Sequence, residues 1–115
     1  MKTRVFSIII STILLSSCAT YFMTPQSLQS VLGKGKPVSV SKLKCVDKDG
    51  KEVILQPTIH TGIRITKKDE TRQQFYFATA YLKDSLILGS KSAIFDIPIT
   101  PIKVSDIKMV EFDGR

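Results

Sequence analysis

Histidine and cysteine, the side chains that most often make up a structural metal site, are scarce in this chain: one histidine, His60, and two cysteines, Cys18 and Cys45. A structural zinc site draws about four ligands from cysteine, histidine and acidic residues. No such set is spaced around His60, so no metal is expected. His60 lies opposite Ile59 in a strand-like run and reads as a solvated strand residue in preference to a general base. A nucleophilic serine needs a base beside it and an oxyanion donor, and no serine here sits in a Gly-x-Ser-x-Gly turn. Asp47, Asp49 and Gly50 share the beginning of a calcium loop, but lysines flank them and the terminal bidentate acid is missing. Turn chemistry explains them better. Gly33-Lys34-Gly35-Lys36 lacks the preceding strand and following helix of a phosphate cradle. The expectation is therefore a protein with no catalytic residues, no cofactor and no enzymatic activity.

Cys18 belongs to a different kind of chemistry. Lys2 and Arg4 precede an uncharged, mostly apolar stretch of 11 residues from Val5 to Leu15. A membrane-crossing helix needs about 20 apolar residues, so this stretch suits the apolar region of a cleaved signal peptide. It ends in Leu15-Ser16-Ser17-Cys18, a branched apolar residue, two small ones and a cysteine. That tetrapeptide resembles the lipobox of bacterial lipoproteins. The resemblance implies a diacylglyceryl group on the Cys18 thiol, signal peptidase cleavage between Ser17 and Cys18, and acylation of the new amine by a fatty acid such as palmitate. In enterobacterial members an aspartate directly after the cysteine favours the inner membrane, whereas this chain has Ala19. For a host with two membranes, the resemblance thus implies the outer one. The segment Ala19-Thr20-Tyr21-Phe22-Met23-Thr24 carries no acidic export signal, which favours a periplasm-facing position.

Processing changes the arithmetic. The 115-residue precursor has 17 basic and 10 acidic residues and a net charge of +7. Loss of residues 1–17 leaves 98 residues with 15 bases, 10 acids and a net charge of +5. That size fits one small domain. Cys45 becomes the remaining thiol, either a buried small hydrophobe or a group that pairs with another chain. Burial is favoured because Leu43 and Cys45 share a face opposite Lys42 and Lys44. Lys34, Lys36, Lys42 and Lys44 form a basic series near the anchor, each able to contribute up to about 1 kcal/mol against anionic headgroups. Nucleic acid is not an expected ligand, because the signal-peptide pattern implies export and the aromatic residues Phe75, Tyr76, Phe77 and Tyr81 fall on both faces of one strand.

The elements that must position these groups follow from periodicity. Residues 18–37, with Pro25, Gly33, Gly35 and Pro37, read as a lipidated tether. Within it Thr24 can cap a short helix, Gln26 to Leu32, acting as a small lid. Residues 38–115 read as a small β domain, because apolar positions recur every second residue between turns. Asp47 to Lys51 is a turn, Val53, Leu55 and Ile59 face one way, and Lys67 to Arg72 is a hairpin loop. Gln74 to Leu82 reads as a central strand, and Ala93 to Ile97 and Val104 to Phe112 as two more. About six short strands make a strongly bent antiparallel sheet or a small barrel. The glycine-bent strand at Gly89 and the closing Asp106-Ile107…Val110 strand make residues 38–113 similar to small SH3-like barrels, including short bacterial lipoproteins. The expected role is a membrane-anchored, non-catalytic module that binds an envelope protein partner or serves structurally. The alternative is a basic module for an acidic envelope polymer or lipid headgroups.

Overall fold

The computed structural model describes residues 20–113, in which ten short strands form two sheets. In chain order these are β1 (Thr20–Met23), β2 (Gly33–Lys34), β3 (Leu43–Val46), β4 (Glu52–Leu55), β5 (Gly62–Lys67), β6 (Arg72–Tyr76), β7 (Tyr81–Lys83), β8 (Leu86–Leu88), β9 (Ile102–Lys103) and β10 (Ile107–Asp113). One helix, α1 (Pro25–Val31), lies between β1 and β2. The larger sheet runs β4-β3-β1-β10-β5-β6 with every pair antiparallel, and the smaller runs β2-β7-β8-β9 with β2 and β7 parallel. The mainly β fold expected from the periodicity is the fold found.

Alternation decides which side of each strand is buried. Along β5, Ile63 and Ile65 point into the core, and opposite them on β10 stand Phe112 and Val110. Arg64 and Glu111, between those residues, share the other face. Buried apolar side chains from both sheets and α1 make one cluster. The ring of Phe77 meets that of Phe112 edge-on, with centroids 5.5 Å apart.

The tether expected over residues 18–37 is corrected for residues 20–34, which are a strand, a helix and a second strand. β1 pairs with β10 from Thr20↔Asp113 to Met23↔Val110 and with β3 at Phe22↔Val46, so it lies inside the larger sheet. Four residues are too few to show a period, and the surrounding prolines and glycines gave the segment a linker-like composition. Pairing on both sides, a tertiary effect, makes it a strand. The helix starts as expected: the Thr24 hydroxyl accepts from the Ser27 N–H at 3.1 Å, and Pro25 occupies the first turn. It is part of the core, because Leu28 is wholly buried and α1 packs against β10.

The expected strand from Gln74 to Leu82 is also corrected. A 3-10 turn at Phe77–Thr79 divides it, leaving β6 at the edge of one sheet and β7 inside the other. The Thr79 hydroxyl holds this corner, donating to the Tyr76 carbonyl at 2.7 Å and accepting from the Ser90 N–H at 2.8 Å. The turn resets the alternation, so Phe75, Phe77, Ala80 and Leu82 are all buried. Ala93 to Ile97 is a loop and not a strand. The hydroxyls of Ser90 and Ser92 accept from backbone N–H groups that a ladder would otherwise engage. Ile59 and His60 lie in a turn before β5, with Ile59 65% exposed instead of facing the core. The extra strands come from short pairings of two to four residues that periodicity does not reveal.

The turns expected at Asp47 to Lys51 and Lys67 to Arg72 hold, joining β3 to β4 and β5 to β6. Asp47 Oδ1 accepts from the N–H groups of Asp49 and Lys51, and Gly50 adopts φ +83°. Asp84 and Ser85, at φ 54° and 65°, join β7 to β8 with the positive φ pair that suits the twist of a two-residue hairpin.

Candidate functional site

A cleft of about 850 Å³ lies over the outer face of β1, β10, β5 and β6. Thr20, Arg64, Glu111 and Gln74 come from these four strands, and His60 and Lys91 stand on its rim. The floor is an ion pair. Arg64 Nε lies 2.8 Å from Glu111 Oε1, and Arg64 Nη2 lies 3.0 Å from Oε2. Both groups face the same way because they sit directly across the ladder from one another. The hydrogen bonds to Glu111 raise the Arg64 pKa, partial burial works against that rise, and the attraction between the charges adds to it.

This pairing limits what the cleft can do chemically. Both oxygens of Glu111 accept from Arg64, so the carboxylate is engaged as an anchor for the guanidinium. His60 is exposed, and its backbone N–H donates to the Thr58 hydroxyl at 3.1 Å, which fixes the turn. Arg72 and Lys91 line the cleft with exposed side chains and make no ion pair among the described residues. The result is a polar, solvent-open cleft with surplus positive charge on its walls.

Beside the rim stands a second feature. The loop from Lys91 to Ile97 leaves the sheet next to β6, where the Tyr76 N–H donates to the Ser90 carbonyl at 3.1 Å. Ile94 is 85% exposed and Phe95 68%. The Ser90 hydroxyl lies 2.9 Å from the carbonyls of both Ser92 and Phe95 and accepts from the N–H groups of Ser92 and Ile97 at 3.1 Å. The Ser92 hydroxyl accepts from Ile94 and Phe95. The loop is thus held from within, with its largest apolar side chains turned outward.

The residues singled out in the sequence are distributed differently. Ser17 and Cys18 lie outside the described residues. Lys34, Lys36, Lys42 and Lys44 are all exposed, but Lys34 belongs to the smaller sheet and Lys44 to the larger, where it faces out opposite Ile54. Cys45 faces the core from β3, and burial pushes its thiol pKa up. No group of three or more metal-ligating side chains comes together among the described residues. Two features escaped sequence reading. The Arg64–Glu111 pair had a signal, one charge set inside each of two apolar alternations, Ile63-Arg64-Ile65 and Val110-Glu111-Phe112. The exposed loop had a weaker one, serines at positions 90 and 92 ahead of an apolar run.

No family model matches this chain, and no curated protein or solved structure matches it.

Proposed function

We propose that this protein is a bacterial envelope lipoprotein, held on a membrane by acyl chains at Cys18, whose β domain is a non-catalytic module for contact with an envelope protein partner. The observation that carries the reading is Leu15-Ser16-Ser17-Cys18, placed behind a basic and apolar leader and two residues ahead of the first strand. Two or three acyl chains hold a protein firmly where a single chain holds it marginally. Among the described residues no helix is long and apolar enough to cross a membrane, so in this reading the lipid supplies the attachment. Ala19 supports an outer-membrane location facing the periplasm.

The mass of the protein purified from membranes tests the anchor: it should correspond to a chain beginning at Cys18 with acyl groups added. Crosslinking in intact cells tests the contact role, and failure to recover a reproducible partner would count against it.

A second reading is supported by the exposure of Lys34, Lys36, Lys42 and Lys44, together with Arg72 and Lys91, which line the cleft alongside Asp113. It makes the domain a binder of an acidic envelope polymer. Retention on such a polymer should then fall steeply with salt, and retention insensitive to salt removes this reading.

A further inference from the structure

The position of the first strand limits where the domain can sit once Cys18 is in a membrane. Two residues of chain reach at most about 7 Å, so the Thr20 end of β1 must lie close to the lipid headgroups if Cys18 carries acyl chains. The pairings identify what shares that end of the sheet. Thr20 pairs with Asp113 on β10, Phe112 with Ile63 on β5, and Gly62 with Tyr76 on β6. The Tyr76 N–H then donates to the Ser90 carbonyl, and Thr20, His60 and Lys91 line one cleft. The loop carrying Ile94 and Phe95 and the turn carrying Ile59 therefore sit at the anchored end of the domain. The opposite end carries the hairpin loop Lys67 to Arg72, with Lys68, Asp69 and Glu70 all exposed.

We propose that the loop Lys91 to Ile97 is a membrane-docking element that inserts Ile94 and Phe95 into the headgroup and acyl boundary and sets the orientation of the domain on the bilayer. The proposal rests on the acylation of Cys18 in the preceding reading. Side chains this exposed and this apolar mark a contact surface when they lie together. Their occupant is a lipid surface because the anchor places this end against one. Lys91 at the start of the loop suits anionic headgroups, and Asp96 is the single acid within it. The internal hydrogen bonds of Ser90 and Ser92 satisfy backbone groups that would otherwise be costly to bring out of water.

The chain contains no tryptophan, so one introduced indole reports without interference. Phe95→Trp and Lys68→Trp would each be purified from membranes as the full processed protein and reconstituted into phosphatidylglycerol and phosphatidylethanolamine vesicles. Some vesicles would carry lipids brominated in the upper acyl chain. Phe95→Trp should emit at shorter wavelength than in detergent-free buffer and be quenched by the brominated lipids, while Lys68→Trp should keep a solvent-like emission without quenching. A solvent-like Phe95→Trp in acylated, vesicle-bound protein overturns the docking loop and leaves the anchor standing. Equal shifts at both positions overturn the orientation. A mass without acyl groups overturns the anchor reading, and the docking inference with it.

Discussion

Arg64 on β5 and Glu111 on β10 face each other directly across the ladder, and the guanidinium donates to both carboxylate oxygens, at 2.8 and 3.0 Å. Their surroundings are unequal. The Glu111 side chain is 10% exposed and that of Arg64 35%, so losing the arginine strands a carboxylate with little access to water. Losing the acid leaves a cation that water can still reach.

The first prediction follows from this asymmetry. Arg64→Leu should lower stability by about 1–3 kcal/mol, and Glu111→Gln by less. Urea denaturation of the two variants checks the order, and equal losses would show that the pair acts as an ordinary surface contact.

The second concerns two glycines needed for different reasons. A Cβ at Gly33 would lie 2.3 Å from the Lys36 carbonyl oxygen and 2.6 Å from a Val38 methyl. At Gly50 a Cβ would meet nothing within 4 Å, but φ is +83°. Gly50→Ala should cost about 1 kcal/mol from the left-handed conformation alone, and Gly33→Ala about 2–3 kcal/mol. Adding Val38→Ala should not rescue Gly33→Ala, because the backbone oxygen remains. Thermal melts of the three variants measure this.

The third concerns Cys45. Burial disfavours its thiolate, so the folded pKa lies above the unfolded value of about 8.5. In the folded state the thiol keeps its proton at pH values where the unfolded thiol ionises. Its contribution to stability is therefore complete below the unfolded pKa and is lost as pH rises from there through the folded pKa. Cys45→Ala should flatten this part of the stability profile. Alkylation of the native protein should be slow and should become fast in denaturant.

The fourth concerns the hub of the exposed loop. Ser90→Ala removes a hydroxyl that accepts from Ser92 and Ile97 and reaches two carbonyls. Stability should fall by about 1–2 kcal/mol. Hydrogen exchange at the Ser92 and Ile97 amides should speed up well beyond that at Ile65 in the core. Uniform acceleration across the chain would show that the hydroxyl holds no loop in particular.

Local patterns made part of this molecule legible. The cap at Thr24, the turn at Asp47 to Lys51 and the burial of Cys45 depend on a residue and its neighbours within a few positions. The failures share a different origin. Gln74 to Leu82 has a continuous strand period, yet Thr79 reaches Ser90, eleven residues away, and the chain turns there. Ile94 and Phe95 look like strand residues, but their N–H groups are taken by a nearby serine hydroxyl and the side chains are left outside.

By itself the sequence determined the mainly β character, the short capped helix, the turns and the tetrapeptide around Cys18 on which the anchor reading stands, because each is written in residue types at short spacing. Tertiary structure alone decided that Thr20 to Met23 is an inner strand, that Arg64 meets Glu111, and that the exposed loop stands at the same end of the sheet as Thr20. Those relationships join residues far apart in the chain, and they exist only where antiparallel pairing and core burial bring the segments together.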